Sequence, residues 1–388
     1  MVSRYALKYI KPSLVQIPGK FARAAMDLAL ETEMMMCLDH PNIVKIRGYT
    51  TGGPECYKKN GAHNAYFLII DKLVETLEDR IGFWRQRTKA LQKQRKKAQR
   101  RNTGLGKIAQ KIRPGGKFKA KMPPTGSPEE AALNPSQNSV EKELNRMLLE
   151  KLQVAYDIAA GVEYLHSRRI VYRDCKSSNI GFDIRGDVKL FDFGLSRFMP
   201  SSPSEDEQDD TFEMSNVGTK RYSAPEVERK QPYNLQADIY GIGVVYWEML
   251  SMTAPRHAIR DDDKKMSYYE ICPCWPQDLQ DLVSSMLSED FKRRPTIKLV
   301  RSKLQQIMMS VSAQYAATIS GDDDFSVSIQ SLFEPGADTR RRSTFRLEFL
   351  SAAEEVKELV LQMEDNDDYG EDETMTHTSV TSSSLSAL

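Results

Sequence analysis

The chain has 388 residues, 40% apolar, with 55 Lys/Arg against 54 Asp/Glu, so it can bury one large or two medium cores and its formal net charge of +1 singles out no partner. No apolar run approaches the ~18–20 residues that cross a bilayer, which excludes a helical membrane protein. The five cysteines (Cys37, Cys56, Cys175, Cys272, Cys274) form no zinc framework, and their odd count, with no secretory leader in MVSRYALKYI, points to a reducing cytoplasmic or nuclear setting.

Residues 4–10 read as a strand. Residues 20–38 carry an apolar helical stripe (Phe21, Ala25, Leu28, Met35, Leu38) that stops at Asp39-His40-Pro41. Strands are predicted at 43–49 and 65–70, then a short helix near Leu77–Phe83. From Arg85 to Lys121 there are fifteen Lys/Arg and no acid, and the stretch ends in Gly/Pro-rich text. This marks an insert over about 85–139, partly helical through KALQKQRKKAQRR and otherwise flexible. An amphipathic helix follows from about Val140 to Ser167, then strands at 170–172, 180–183 and 188–191. Residues 201–213 are acidic and Ser-rich, a loop, and 236–309 are mostly helical. Beyond 310 the text is Ser/Thr-rich and acidic, with ten Asp/Glu against one Lys over 354–373. The expected organisation is a folded domain over 1–309 and a largely disordered tail over 310–388. Strands first and helices later imply an α+β fold of two lobes, a small sheet-rich one and a larger helical one.

Within this frame lie Tyr5-Ala6-Leu7-Lys8 on the first strand and Glu31 on the helix after it. Tyr172-Arg173-Asp174-Cys175-Lys176-Ser177-Ser178-Asn179 lies between two short strands, and Asp192-Phe193-Gly194 follows a third. Ala224-Pro225-Glu226, Asp238-Ile239-Tyr240-Gly241 and Arg293-Arg294-Pro295 complete the series. These segments resemble, in order, the V-A-I-K, H-R-D-L-K-x-x-N, D-F-G and A-P-E motifs of the eukaryotic protein kinase superfamily, over roughly three quarters of the chain.

The resemblance implies a two-lobed fold and transfer of the γ-phosphoryl group of ATP, with Mg²⁺, to protein substrates. It assigns Lys8 to the α/β-phosphates, Glu31 to holding Lys8, and Asp174 to the substrate hydroxyl's proton. Lys176 goes to charge on the moving phosphoryl group, and Asn179 and Asp192 go to Mg²⁺. Ala6, Ile70, Asp71 and Leu73 line the adenine pocket in this reading. Lys176 and Gly218-Thr219 match the serine/threonine form, while Trp247-Glu248-Met249 is closer to the tyrosine-kinase-like branch. Asp238 anchors the catalytic loop, and Arg294 pairs with Glu226.

The chain departs from the pattern twice. Only seven residues precede Lys8, so no glycine-rich loop fits, and Gly104-Leu105-Gly106-Lys107 lies in the basic insert rather than between strands. Either Met1 is an internal methionine of a longer protein, or the chain is a degenerate kinase that serves as a scaffold. The second departure is Gly181, where the family has an aliphatic side chain under the adenine; the glycine removes packing from that face and leaves a gap, and weaker nucleotide binding is expected. Arg173 implies an activation-loop phosphate placed by an upstream kinase, with Ser202, Ser204, Thr211 and Ser215 as acceptors. The neighbouring carboxylates over 205–210 are a partial phosphate mimic in this reading, and Arg340-Arg341-Arg342-Ser343 is a further basophilic site. The basic insert is a candidate for nucleic acid, nuclear import or an acidic partner, although it lacks interleaved aromatics.

Overall fold

The computed structural model describes residues 3–15, 17–50, 66–111, 135–200, 210–255 and 269–318. The tail segment 354–373, Arg340–Ser343, Ser202, Ser204 and the acidic run at 205–209 lie outside these.

The small lobe is built on three antiparallel strands, β1 (Tyr5–Tyr9), β2 (Ile46–Tyr49) and β3 (Phe67–Asp71), in the order β1-β3-β2. The register pairs Ala6 with Ile70 and Lys8 with Leu68. Between β1 and β2 run a single turn, α1 (Pro12–Val15), and a long helix, α2 (Pro18–Met36). Pro18 suits the first turn, where its missing N–H has no helical partner to lose. Ala25, Leu28, Met34 and Met35 are buried, and the helix stops before Asp39-His40-Pro41 as expected. Ile43, predicted to start a strand, instead makes an isolated parallel bridge to Leu190 of the large lobe.

A two-residue strand β4 (Glu75–Thr76) leads into helix α3 (Leu77–Lys111). Asp79 caps its start by accepting from the Thr76 backbone N–H at 3.0 Å, and Thr76 Oγ1 accepts from the Asp79 N–H at 3.2 Å. A short helix followed by a partly helical insert was expected; the structure has one continuous helix of 35 residues. Ala, Leu, Lys, Gln and Arg dominate after Phe83, and all are strong helix formers, so propensity carries the helix past the packed part. Gly104-Leu105-Gly106-Lys107 thus lies on helical backbone. Helix α4 (Pro135–Ser167) packs along α3 and starts five residues before its predicted bound.

The remaining strands are short: β5 (Ile170–Val171), β6 (Ile180–Phe182), β7 (Val188–Leu190) and β8 (Arg197–Phe198). They form a β4-β6-β7 sheet and a β5-β8 pair. The large lobe then holds α5 (Pro225–Glu228), α6 (Gln236–Ser251), α7 (Gln277–Met286) and α8 (Ile297–Thr318). Helix α6 is apolar on nearly every side, from Ile239 through Leu250, which is the signature of a helix inside a core. Helix α8 runs nine residues past the expected domain end at 309 and keeps Val311 and Ser312 buried, because its apolar face continues against α4. A disulfide joins Cys272 and Cys274, while Cys37 and Cys175 are free, so the argument for a reducing compartment does not cover that pair. Among the described residues no helix is long and apolar enough to cross a membrane.

Candidate active site

The loop between β5 and β6 carries Asp174, and its shape is set from beneath by Asp238 on α6. The buried Asp238 carboxylate accepts from the Tyr172 and Arg173 backbone N–H groups, both at 2.8 Å, and lies 2.9 Å from His166 Nε2. This holds Arg173 at φ 72°, a left-handed conformation that a non-glycine residue adopts only under such restraint. Tyr172, in place of the family's usual histidine, is fully buried and its hydroxyl donates to the carbonyls of Phe191 and Asn179. Burial pushes the Tyr172 phenol well above its usual pKa, so it stays a donor.

Asp174 is the hub of the loop. Its Oδ2 accepts from Lys176 Nζ at 2.8 Å and from Asn179 Nδ2 at 2.9 Å. Its Oδ1 accepts from the Thr219 backbone N–H at 3.1 Å and from Thr219 Oγ1 at 2.9 Å. Lys176 Nζ also reaches Thr219 Oγ1 at 3.2 Å. Thr219 can approach because Gly218 precedes it. A Cβ at position 218 would lie 2.6 Å from the Arg173 carbonyl oxygen, and φ there is 104°. Sequence reasoning identified this contact only through the family resemblance; the glycine's necessity emerges from the close approach.

The second cluster joins the lobes. Lys8 Nζ on β1 lies 2.7 Å from Glu31 Oε1 on α2 and 2.8 Å from Asp192 Oδ1. Burial disfavours the Lys8 ammonium, yet Glu31 and Asp192 outweigh it and hold its pKa above the ordinary lysine value. Glu31 also accepts from the Phe193 N–H at 3.3 Å, so α2 grips the same turn that presents Asp192. Asp192 sits at φ 64°, with Phe193 buried beneath it against Tyr172 at 5.2 Å between ring centroids. The β6–β7 register pairs Ile180 with Leu190, and the Phe191 N–H donates to the Asn179 carbonyl at 3.1 Å. That pairing brings Asn179 alongside the strand that ends at Asp192.

The oxygens left over suit a divalent cation. Asn179 spends its Nδ2 on Asp174, and among the described residues its Oδ1 and Asp192 Oδ2 accept no hydrogen bond. No group of three or more His, Cys, Asp or Glu gathers among the described residues, so no closed metal cage is present. One carboxylate and one amide oxygen fit Mg²⁺, which keeps most of its waters.

The residues expected at the adenine fall together as well. Ala6 faces Ile70 across the β1–β3 pair, and Asp71, clamped by Arg47 at 2.8 Å through both oxygens, ends β3. Lys72 N–H then donates to Arg4 O and Val74 N–H to Phe182 O. Leu73 between them keeps its own N–H and C=O unpaired among the described residues. Gly181 does not leave the expected gap. A Cβ built there would meet Leu73 Cδ1 at 2.7 Å and Phe191 Cε1 at 3.3 Å, so those two side chains fill the space. Sequence reasoning missed Phe191 as part of this floor; its place immediately before Asp192 was the available signal.

Further out, Arg294 and Glu226 form a buried two-bond ion pair at 2.6 and 2.8 Å. Arg173 donates to the Ser215 hydroxyl and carbonyl, both at 2.8 Å, while Thr211 is described but makes no such contact.

The architecture is that of the two-lobed protein kinase fold. The protein kinase domain family model matches residues 136–306. The chain is 32% identical over 178 residues to the dual specificity protein kinase shkD of Dictyostelium discoideum, covering 43% of this chain and 23% of that protein. It is 42% identical over 109 residues to the serine/threonine-protein kinase CTR1 of Arabidopsis thaliana, covering 27% and 12%. A third relative is the cAMP-dependent protein kinase catalytic subunit 2 of Drosophila melanogaster, 30% identical over 193 residues, covering 44% and 51%. Residues 136–306 thus match a protein kinase domain, and the chain spans about half or less of the length of these relatives. The family match begins within α4, so Lys8 and Glu31 stand on geometry alone.

Proposed function

We propose that this chain is a protein serine/threonine kinase that moves the γ-phosphoryl group of ATP to Ser or Thr hydroxyls of protein substrates. The observation that carries the reading is the coincidence of two bonded clusters: Asp174 with Lys176, Asn179 and Thr219, and Lys8 with Glu31 and Asp192.

In this reading Asp174 accepts the substrate hydroxyl's proton. Four donor groups from three residues already fix its carboxylate, so little reorganisation precedes the step. Lys176, tied to Asp174 and Thr219, places a cation beside the moving phosphoryl group. Thr219 joins the substrate-docking loop, residues 218–222 in this reading, to the base, so a bound substrate segment and the base share one frame. Lys8, held by Glu31, exchanges its Asp192 contact for phosphate oxygens. Leu73 offers its backbone N–H and C=O to the adenine edge over the floor of Leu73 and Phe191. Mg²⁺ at Asn179 and Asp192 supplies neutralisation of phosphate charge when bound. Ser215, already on Arg173, is the acceptor we assign to an upstream activating kinase. The folded kinase unit is proposed to run to about 318, with 85–139 as its insert and the remainder as tail.

The test is phosphate transfer from ATP to a generic Ser/Thr acceptor by the full chain and by Asp174→Asn and Asp192→Asn. Transfer lost in both variants is expected. Equal background from all three would establish the alternative, a kinase fold used as a binding scaffold.

A further inference from the structure

Beside the docking loop, an open cleft of about 790 Å³ lies between α3 and the C-terminal end of α6. One wall is Arg85, Thr88, Lys89 and Gln92, which recur at helical spacing and so form one face of α3. The other wall is Ser251 to Pro255, and Arg221 of the docking loop closes one side. Among the described residues three cations line this cleft and no carboxylate does. Arg85 is committed to the fold: its Nε donates to the Met252 carbonyl at 2.6 Å, at the negative end of α6. Lys89 and Arg221 are exposed and form no ion pair among the described residues. The Glu248 carboxylate is buried, takes the Tyr222 hydroxyl at 2.8 Å and interacts electrostatically with Arg221, so it offsets part of that guanidinium's charge and leaves Lys89 the freer cation.

The cleft is close to the base. Arg221 is two residues from Thr219, whose N–H and hydroxyl both bond Asp174. An extended chain covers at most about 3.6 Å per residue, so the two α-carbons lie within about 7 Å. A segment that delivers its hydroxyl to Asp174 can therefore reach Arg221 within a few residues of the acceptor.

We propose that the cleft reads acidic residues flanking the phosphoacceptor, so that the preferred substrates carry Asp or Glu there, paired with Lys89 and Arg221. Charge complementarity selects the occupant: a basic flank meets like charge, and a neutral one leaves the cations only with water. The inference rests on the kinase reading for the direction of the bound segment, but binding itself does not require transfer.

The experiment uses the full chain and three fluorescein-labelled peptides of equal length with one central Ser, flanked by Asp/Glu, by Ala or by Lys. Affinity is read by fluorescence anisotropy, and phosphate transfer is measured on the same peptides. The acidic peptide is expected to bind about tenfold more tightly than the Ala peptide in low salt, and the advantage shrinks in 0.5 M NaCl as screening takes hold. Lys89→Glu with Arg221→Glu turns the preference toward the Lys peptide. Lys89→Glu alone, on an exposed helix face, cuts the acidic advantage by about threefold and serves should the double variant misfold. Acidic and Ala peptides binding the parent within twofold of each other, or a folded variant that keeps the parent's full acidic advantage, overturns the proposal. Acidic preference without transfer keeps the cleft and removes the kinase reading; transfer without preference does the reverse.

Discussion

Replacing Asp238 tests whether the Asp174 loop is held from below. Asp238→Ala strands two backbone donors, Tyr172 N–H and Arg173 N–H, in a site where Asp238 is 2% exposed. At about 1–3 kcal/mol for each buried donor left unmade, the cost is about 2–6 kcal/mol, a large part of a typical domain's stability. Asp238→Asn is the sharper variant. It conserves shape but turns one acceptor into a donor facing one of those N–H groups, for a loss of about 2–3 kcal/mol. Urea unfolding should show a lower midpoint at unchanged slope, which reports stability rather than compactness. Phosphate transfer at saturating ATP and peptide should fall further than the unfolded fraction explains, because Arg173 can relax from φ 72° and carry Asp174 with it. A folded Asp238→Asn protein within 0.5 kcal/mol of the parent that transfers phosphate at the parental rate would refute the argument.

Other outcomes follow from the same geometry. Arg294→Met leaves Glu226 charged and buried, and should cost about 3–5 kcal/mol in urea unfolding; adding Glu226→Leu should recover much of it. Gly181→Ala places a Cβ 2.7 Å from Leu73 Cδ1 and 3.1 Å from the Glu75 carbonyl, so it should destabilise by about 1–3 kcal/mol, read by the same assay. Thr219→Val removes a hydroxyl that bonds both Asp174 and Lys176, and kcat for a Ser peptide should drop about 10–100-fold with the melting temperature nearly unchanged. Lys151 is buried beside Trp84, and burial lowers its pKa to about 8. Its folded pKa lies below the unfolded value of 10.5, so the unfolded chain binds more protons between those limits and stability rises with pH across about 8 to 10.5. Lys151→Met should flatten that rise in urea midpoints measured at pH 7, 8.5 and 10.

The Asp174 loop and the turn after β7 were legible because the family resemblance rests on particular side chains at short intervals. Asp174, Lys176 and Asn179 are within one loop, so local sequence almost fixes their meeting. Helix α6 was legible for a different reason, since a segment apolar on all sides can only be a core helix. What could not be read was where long-range packing or propensity decides. Ile43 has the composition of a strand residue but pairs with Leu190, a partner 147 positions away. The basic stretch after Arg85 has the charge density of a linker, yet its first part is anchored by Arg85 to Met252 and by Arg87 to Glu143, and helix propensity extends it. Gly181 suggested a hole because a glycine reports only its own missing side chain. The volume was supplied by Leu73 and Phe191, from two other elements.

The same distinction bears on the small lobe. Lys8 and Glu31 lie outside the matched family segment, and each alone is an ordinary charged residue on a strand or helix. Their role is argued by closure of a circuit. Glu31 binds Lys8 and also accepts from Phe193, while Lys8 binds Asp192, so β1, α2 and the turn after β7 are joined at one carboxylate and one ammonium. A surface lysine has no need of two carboxylates, and a helix glutamate 3% exposed has no reason to be charged unless a cation is fixed beside it. Lys8→Met should therefore loosen the Asp192 turn as well as the nucleotide site. Amide hydrogen exchange at Phe193 faster than in the parent, before any nucleotide is added, is the expected sign, and unchanged protection there would show that the two lobes are coupled by packing rather than by this pair.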